Sequence, residues 1–284
     1  MNVENLPKLF PIEFGSVEDS NRPILSIDHF AKGPHIVRGH SHARAQILYP
    51  LRGVYRVRTS MGNWIVPPSQ AIWIPPHVYH EVYSNDSVDS LLFFVDQTFA
   101  AALPQACLVV SVSALLREMF IKAVKFGNDY SPDSRCGRFV EVLLDEIGEL
   151  QPAPLYLPMS NDKRVVRAME LLIQNPADEL DLEQLADYTG SSVRNLTRLF
   201  KKETGMNFSE WRKQLILMEA IDQLGQGKSV TEVALELGYS STSAFIAMFR
   251  RTIGVAPGHY FRTHSIKNTE LDESSQNLKL NAGT

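Results

Sequence analysis

The 284-residue sequence has few cysteines and no long apolar run. Cys107 and Cys136 are its only cysteines, so no disulfide framework is expected, and a reducing cytoplasm suits this usage. No hydrophobic stretch approaches the ~20 residues of a membrane-spanning helix. The start, MNVENLPKLFPIEF, lacks a basic end, a long apolar core and a small-residue cleavage site, so no signal peptide is expected. Together these absences predict a cytoplasmic protein without a membrane partner.

The sequence also lacks a large excess of either charge. It has 28 Lys and Arg against 32 Asp and Glu, a formal net charge of -4 at pH 7. This balance argues against a protein coated in nucleic acid, but DNA binding depends on where the basic residues sit. Hydrophobic residues make up 44% and charged residues 21% of the chain, which is typical of globular proteins and leaves room for two domains.

The N-terminal part has the pattern of β structure. Between residues 24 and 112, short runs rich in β-branched and aromatic residues are punctuated by Gly and Pro: ILSIDHF, QILYPLRGVYRVRT, AIWIP, SLLFFVD and CLVVSV. Short strands at this spacing predict a sandwich or a small barrel. We therefore expect a β domain over residues 1–112.

Helical periodicity follows the β region. We expect helices over 114–126 and over about 134–150. The apolar stripe of the second, with Leu143 and Ile147, exceeds what one small barrel needs to cover. Residues 113–150 are therefore expected to pair two subunits into a homodimer through that stripe.

Three prolines in QPAPLYLP mark residues 151–160 as the linker between two domains. Residues 161–263 have a helical pattern throughout, which predicts an all-α second domain. The polar tail over 264–284 has no apolar periodicity and is expected to be disordered. The fold class is therefore α+β with two domains.

The helical region contains an internal repeat. DLEQLADYTGSSVRNLTRLFKKETGMNFSEW (181–211) matches SVTEVALELGYSSTSAFIAMFRRTIGVAPGHY (229–260). Positions in the first half match at an offset of 48 and those in the second half at 49: Leu182, Leu185, Ala186 and Gly190 with Val230, Val233, Ala234 and Gly238, then Leu196, Phe200, Gly205 and Trp211 with Phe245, Phe249, Gly254 and Tyr260. A single-residue shift at a turn is what a duplicated structural unit tolerates.

Each copy has the pattern of a helix, a tight turn and a second helix. Asp181 with Gln184, and Ser229 with Glu232, form capping boxes that begin the first helices, and a Gly ends each of them at the turn. Between the copies, FSEWRKQLILMEAIDQLG predicts a helix of about 18 residues, roughly 27 Å long. Such a helix would hold two recognition helices near the ~34 Å that adjacent major grooves require.

The second helix of each copy carries a polar and basic outer face. In the first copy the outward residues are Arg194, Thr197, Arg198 and Lys201, followed by Lys202; in the second they are Thr242, Ser243 and Ala247, followed by Arg250 and Arg251. Arg can read guanine, and Lys or Arg near a helix end can hold phosphate. The alternative, a helical bundle with a chance repeat, explains neither the Gly at both turns nor these basic residues.

The stretch from about Lys163 to Arg262 resembles the AraC/XylS family of transcription regulators. GY, SAF, FRR, G, P and Y at their spacings in the second copy are specific to that family. The resemblance implies base contacts by Arg194, Thr197 and Arg198 in the first recognition helix and by Thr242 and Ser243 in the second. It also implies a double-stranded DNA operator, RNA polymerase as a partner, and activation as the commoner outcome. Ala247 stands where relatives often have a long polar residue, so we expect weaker readout by the second unit.

Four polar residues of the β domain have the spacing of metal ligands. On one strand His40, His42 and Gln46 share one face, because the side-chain period is two, and His80 comes from a distant strand. Three imidazoles and an amide oxygen could hold Zn, Fe, Mn or Ni. His77 is a spare imidazole nearby.

Residues 35–95 resemble the two cupin motifs, which predicts a cupin-like sensor barrel. Gln46 replaces the usual Glu, which weakens a metal site, and in the alternative interpretation the histidines line a pocket. Tyr49, Trp64, Trp73 and His77 are the candidate effector-pocket residues. The run QILYPLRGVYRVRTSMGNWIVPPSQAIWIPPHVYHEV resembles the branch of regulators linked to nitroimidazole resistance.

We therefore expect a non-enzymatic DNA-binding regulator controlled by a small molecule bound in the β domain. Two alternatives stay open at this point. One is a metal-dependent cupin enzyme, a dioxygenase or isomerase fused to a DNA-binding module. The other is a regulator in which the metal itself is the effector.

Overall fold

The computed structural model describes residues 8–9, 13–17, 19, 21–68, 70–101, 103–153, 155–178 and 180–260. The tail at 264–284, for which disorder is expected, lies outside these residues. Within the described ranges, no helix has the length and apolar character needed to cross a membrane. The α+β organisation in two domains is confirmed: a domain of two β-sheets precedes an all-α domain.

The N-terminal domain is built from two sheets and a short 3-10 turn. Its strands are β1 Lys8–Leu9, β2 Ile24–Ala31, β3 His35–His40, β4 Ala45–Arg52, β5 Tyr55–Arg58, β6 Gly62–Val66, β7 Gln70–Ile74, β8 His80–Ser84, β9 Val88–Val95, β10 Leu108–Ser111 and β11 Tyr156–Pro158, and the turn covers Glu13–Ser16. One sheet has the order β1-β3-β8-β5-β6-β11 and the other β10-β7-β4-β9-β2. All pairs are antiparallel except β1 with β3.

Strand β4 shows that both faces of the second sheet are buried. Leu48 belongs to a buried cluster that also contains residues of the first sheet, such as Val57. Ile47 and Tyr49 point the other way, into a cluster with residues of two helices. Because both faces are covered, the strand reads as a nearly continuous apolar run.

Helices cover the outer face of this sheet. They are α2 Ala114–Phe126 and α3 Arg135–Gly148, after a single turn, α1 Gln97–Ala100. The apolar stripe of α3 is buried against the same chain. Leu143 is 0% and Ile147 2% exposed, and both lie in one cluster with Phe120 and the second sheet. The expectation that this stripe faces a second subunit is therefore wrong, because the second sheet needs two covered faces rather than one.

The C-terminal domain consists of seven helices in the described residues. They are α4 Lys163–Gln174, α5 Leu182–Thr189, α6 Val193–Thr204, α7 Phe208–Gly225, α8 Val230–Glu236, α9 Thr242–Ile253 and α10 Pro257–Tyr260. Helices α5 and α6 form the first copy of the repeat and α8 and α9 the second. Helix α7 has 18 residues and joins the two copies.

The segment that joins the domains is partly a strand. Within 151–160, β11 pairs with β6, and the carbonyl of Pro158 accepts a hydrogen bond of 2.9 Å from the Trp211 indole of α7. The barrel interior, β11 and the helical domain share one continuous buried cluster. The two domains are thus packed against each other through this segment.

Candidate functional site

The two helix-turn-helix units have the same local chemistry. Capping boxes begin α5 at Asp181 and α8 at Ser229. At the turns, Gly190 and Gly238 adopt φ values of 66° and 80°, in the region that favours glycine. The next residue of each copy then donates its backbone N–H to the carbonyl of the alanine five residues earlier, at 2.8 Å from Ser191 to Ala186 and 2.9 Å from Tyr239 to Ala234. The duplication is therefore structural as well as sequential.

Both recognition helices begin and end alike. Ser192 caps α6 and Ser241 caps α9, each accepting from the backbone N–H three residues on, and a left-handed glycine follows each helix. Their inner faces are buried by Leu196, Leu199 and Phe200 in α6 and by Phe245 and Phe249 in α9. Each helix therefore presents a fixed outer face of about three turns.

The predicted DNA contacts lie on these outer faces. Thr242 is half-buried and the others are exposed: Arg194, Thr197, Arg198, Lys201 and Lys202 on α6, and Ser243, Arg250 and Arg251 on α9. Arg198 is oriented by Asn195, whose amide oxygen accepts from its guanidinium at 3.0 Å. The Lys201 ammonium donates to the carbonyl of Gly205 at 2.7 Å. Both basic clusters thus sit at the carboxyl ends of their helices.

The three predicted histidine ligands and Gln46 are brought together inside the barrel. Ligand nitrogens of His40, His42 and His80 all lie within 4.8 Å of one another. The Oε1 atom of Gln46 lies 3.3 Å from Nε2 of His42 and 3.1 Å from Nε2 of His80. His80 is fully buried, His42 and Gln46 nearly so, and His40 is half-buried, so the group opens outward on the side of His40.

Backbone carbonyls fix the protonation of the three rings. The Nδ1 atoms of His40, His42 and His80 lie 2.6–2.8 Å from the carbonyl oxygens of Arg38, Arg44 and Val78. A carbonyl only accepts, so each Nδ1 carries the proton and donates it. Burial lowers the pKa of all three imidazoles, that of His80 to about 4. The rings are therefore neutral at pH 7, and each Nε2 presents a lone pair.

The lone pairs of His42 and His80 meet the oxygen of Gln46, which is also an acceptor. Acceptors facing acceptors repel unless a cation lies between them or the amide turns to present its NH₂ group. The donor set of three imidazole nitrogens and one amide oxygen fits a divalent transition metal, with Nδ1 of each ring held from behind as in known metal sites. The residues present thus fit a metal.

The four candidate effector-pocket residues are not brought together. Tyr49 and Trp73 lie in the cluster under the helices, where Tyr49 contacts Phe120 and the Trp73 indole donates to the carbonyl of Pro104 at 2.7 Å. Trp64 lies in the other cluster, stacked on a tyrosine of β11. His77 is exposed, in a left-handed conformation with φ 62°, and its backbone N–H donates to the carbonyl of His42.

Comparison with known proteins covers both domains. Residues 29–102 match the AraC-like ligand binding domain and residues 185–263 a helix-turn-helix domain. The chain is 33% identical to the HTH-type transcriptional regulator NimR of Escherichia coli over 221 residues, 78% of this chain and 81% of NimR. The chain belongs to the AraC/XylS family of transcription regulators. The similarity to NimR confirms the branch that the sequence predicts.

One further relative and one solved structure also match this chain. RipA of Corynebacterium glutamicum, another HTH-type transcriptional regulator, is 36% identical over 42% of this chain and 37% of its own length. Among solved structures, ToxT of Vibrio cholerae with a bound unsaturated fatty acid covers 86% of this chain and 96% of its own, with 13% identity and a TM-score of 0.35. A match at that level decides nothing about ligand or mechanism. As an AraC-type protein, the chain is a DNA-binding transcription regulator with an effector-binding domain.

Sequence reasoning missed one group that joins the two domains of this AraC-type regulator. Arg56 of β5 donates to Glu219 at 2.7 Å and to Asp222 at 2.8 Å, both on α7. Asn85 and Gln226 also donate to the same oxygen of Asp222, at 2.8 and 3.0 Å. Burial opposes the charge of Arg56, but the two carboxylates outweigh it and raise its pKa well above the usual value. The sensor sheet is thereby bonded to the helix between the DNA-binding units.

Proposed function

We propose that the chain reads its operator through both recognition helices, unequally. The observation that carries this is the pair of matched, exposed, basic faces on α6 and α9. Bases are read by Arg194, Thr197 and Arg198 of α6 and by Thr242 and Ser243 of α9, while phosphates are held by Lys201, Lys202, Arg250 and Arg251. Both faces carry the side chains that proteins use to read the major groove: arginines with forked donors, hydroxyl groups and clustered cations.

Helix α6 supplies most of the sequence discrimination. Its outer face carries two arginines with forked donors, each able to read guanine. The outer face of α9 contains a shallow, open groove with a volume of about 620 Å³. Ile246 and Ala247 form its apolar floor, and Ser243 and two arginines flank it. An alanine there offers only apolar contact, such as with a thymine methyl. The second unit then contributes affinity more than specificity.

The test is selection of bound duplexes from a random library by the full chain. We expect one strongly constrained block of bases and, about one helical turn away, a weakly constrained one. Lys202→Ala is expected to weaken binding to all duplexes alike and to lower the slope of log K against log salt by about one. Equal constraint in both blocks would contradict the unequal roles, and no enrichment would contradict operator reading.

The protein is further proposed to act in the cytoplasm as a homodimeric activator that contacts RNA polymerase and answers to a small molecule bound in the barrel domain. Free thiols at Cys107 and Cys136 suit a reducing compartment. We propose no enzymatic activity, since Gln46 replaces the acid that oxidative cupin chemistry uses. Metal retention together with turnover of an organic substrate would instead support the enzyme.

A metal-responsive regulator is the second candidate function. It is favoured because three Nε2 lone pairs and the Gln46 oxygen converge, and none of these four atoms carries a proton to donate. Bound metal would serve to draw these four groups together, and His40, His42, Gln46 and His80 would hold it. Elemental mass spectrometry on tag-free protein tests this, beside a His40→Ala/His42→Ala double variant. Near-stoichiometric metal lost in the variant supports the site, whereas its absence from both makes the histidines pocket lining.

A further inference from the structure

The hydrogen bond between Asn195 and Arg198 belongs to a longer chain of side chains that begins at the turn before α6. Nδ2 of Asn195 donates to Oγ of Ser191 at 3.1 Å, and Oδ1 of the same amide accepts from Nη2 of Arg198 at 3.0 Å. A guanidinium has no acceptor, so the amide oxygen faces Arg198 and the NH₂ group faces Ser191. The three side chains therefore form one directed chain along the first recognition helix.

Ser191 is a fixed starting point for this chain, because its backbone belongs to the tight turn. It follows the left-handed Gly190, and its backbone N–H donates to a carbonyl of α5 at 2.8 Å. The N-cap of α6 is the next residue, Ser192, so the side-chain chain is separate from the cap. Asn195 thus ties Arg198 to the turn between the two helices of the unit.

The surroundings of Arg198 show why a neutral acceptor matters. Besides Asn195, the positions three or four residues away along α6 carry only cations: Arg194, Lys201 and Lys202. Among the described residues, none forms an ion pair with Arg198, and Glu203 of the same helix lies 3.7 Å from Lys202 instead. Like charges repel, so an unheld guanidinium would swing away from these cations. The amide holds it without cancelling the charge that attracts DNA.

The second copy of the repeat lacks this chain as a unit. The two N-cap serines lie 49 positions apart, and each accepts from the backbone N–H three residues on, at 3.3 and 3.2 Å. At the same offset, Asn195 corresponds to Ala244 and Arg198 to Ala247. The backbones therefore agree while the side chains differ. The amide and the arginine are present together in α6 and absent together in α9.

We propose that Asn195 is a positioning residue for operator reading, and that it sets which base Arg198 prefers. The amide takes one hydrogen of Nη2, which leaves a pair of donors from Nη1 and Nη2 for the O6 and N7 acceptors of a guanine. With the guanidinium anchored to the turn, this fork meets one base pair in one orientation. Without the anchor it would also reach neighbouring bases and phosphates. The proposal rests on the operator reading proposed above and deepens it.

Fluorescence anisotropy with the selected duplex and its single-base variants tests the role of the amide. Asn195→Ala should lower the preference at the base position that Arg198→Ala relaxes by about three- to tenfold, the worth of one hydrogen bond. Affinity for duplexes already changed at that position, and the slope of log K against log salt, should stay the same. A damaged α6 would instead weaken every duplex alike. Uniform weakening, or an unchanged preference, overturns the proposal.

A double variant separates positioning from direct reading. Asparagine can itself read adenine, and in that case Asn195→Ala would change the base preference of a chain that lacks Arg198. If Asn195 acts through Arg198, Asn195→Ala should have no further effect on base preference in the Arg198→Ala chain. A further change there would make Asn195 a base reader and contradict the positioning role.

Substitutions of the turn serine test the anchor. Ser191→Ala should lower the same base preference in the same direction as Asn195→Ala, and Ser191→Thr, which keeps a hydroxyl group, should restore it. Ser240→Ala is the matched control, because it is the equivalent change in the second copy, where Ala244 has no amide to hold. Equal effects of Ser191→Ala and Ser240→Ala would show that the turn does not anchor the arginine.

Transfer of the chain to the second unit gives the converse test. Ala247→Arg adds a cation to α9 and should strengthen binding to all duplexes, with little base preference. Ala244→Asn/Ala247→Arg also adds the amide that orients it, and library selection should then show one newly constrained base in the second block. We expect the preference at that base to exceed that of Ala247→Arg by at least about threefold. Equal preferences in the two variants count against the proposal.

Selection by the wild-type chain distinguishes this proposal from the function on which it rests. No enrichment by the wild-type chain would refute operator reading, and the role of Asn195 with it. Enrichment by the wild-type chain, together with an unchanged preference in Asn195→Ala, would refute the positioning role alone. Denaturant unfolding of Asn195→Ala should match the wild type, because α6 keeps its cap at Ser192 and alanine favours a helix.

Discussion

Nη2 of Arg56 lies 2.8 Å from Oδ2 of Asp222, so a cation of the sensor sheet is bonded to a carboxylate in the last turn of the helix that joins the two DNA-binding units. The Asp222 side chain is 2% and that of Arg56 15% exposed. Paired charges at this depth contribute less to net stability than their contacts suggest, because desolvation offsets their attraction. Their value lies in fixing one arrangement of the sensor on α7.

Removal of one partner alone should be costly. Arg56→Met leaves Asp222 buried without its cation, and we expect the free energy of unfolding to fall by about 3–5 kcal/mol. Denaturant titration of the full chain measures this. Arg58→Met on the same strand is the control: Arg58 is half exposed and 3.5 Å from Glu81, so its loss should cost below ~1 kcal/mol. Equal effects of the two substitutions would mean that the contact to α7 is not special.

Arg198→Ala should reduce operator affinity by about 1–3 kcal/mol and relax the preference at one base position. The guanidinium is held toward the outer face of α6 by Asn195, which limits what it can read. Fluorescence anisotropy with the selected duplex and its single-base variants measures both effects. Arg38→Ala, an exposed arginine of the sensor domain, serves as the control. A uniform loss on every duplex would assign Arg198 to phosphate.

Gln46→Glu should tighten zinc binding by at least about tenfold, or ~1.4 kcal/mol. The change keeps the side-chain size and places an anionic oxygen where an amide oxygen now faces His42 and His80. Competition with a chelating dye measures the affinity. Gln97→Glu is the matched control, on an exposed glutamine outside the group. Unchanged affinity in Gln46→Glu would place the metal, if bound, away from residue 46.

The metal-stripped protein should lose stability in mild acid. Burial lowers the pKa of His80 from 6.5 to about 4, so the unfolded chain binds this proton more readily than the folded one. The contribution is complete above pH 6.5 and falls away as the pH drops toward 4, by about 3 kcal/mol in all. Denaturant unfolding at several pH values measures this loss. The same slope in His80→Gln would assign the effect to other groups.

The helical domain could be predicted from the sequence because its signals are local. The capping boxes of α5, α7 and α8, and the turn glycines, depend on residues within a few positions of one another, so their pattern is legible in the chain. The sequence also named the four residues of the histidine group, but strand parity was the wrong reason. His40 ends β3, His42 lies in the connection and Gln46 lies on β4 of the other sheet, so no single strand holds the three residues.

Two features could not be predicted from the sequence: which face of a strand points into the barrel, and which residues of the two domains contact each other. Alternation shows that Tyr49 and Leu48 point oppositely, but both faces of β4 are buried, so parity alone does not say which faces the barrel interior. Arg56 resembles any polar residue on an alternating strand. Its partner, Asp222, is 166 positions away, and no local pattern announces such a contact.

The buried cluster that runs from the barrel through β11 into α7 bears on protein engineering. A chimeric regulator would join a new sensor domain to this DNA-binding domain at the proline-rich connection. Here a cut within 151–160 would sever a strand from its sheet and remove the carbonyl that receives the Trp211 indole. A working chimera would need to keep β11 together with both β6 and α7. A junction before residue 151 leaves β11 with the α7 of the DNA-binding domain, so β6 would have to come from the same parent protein.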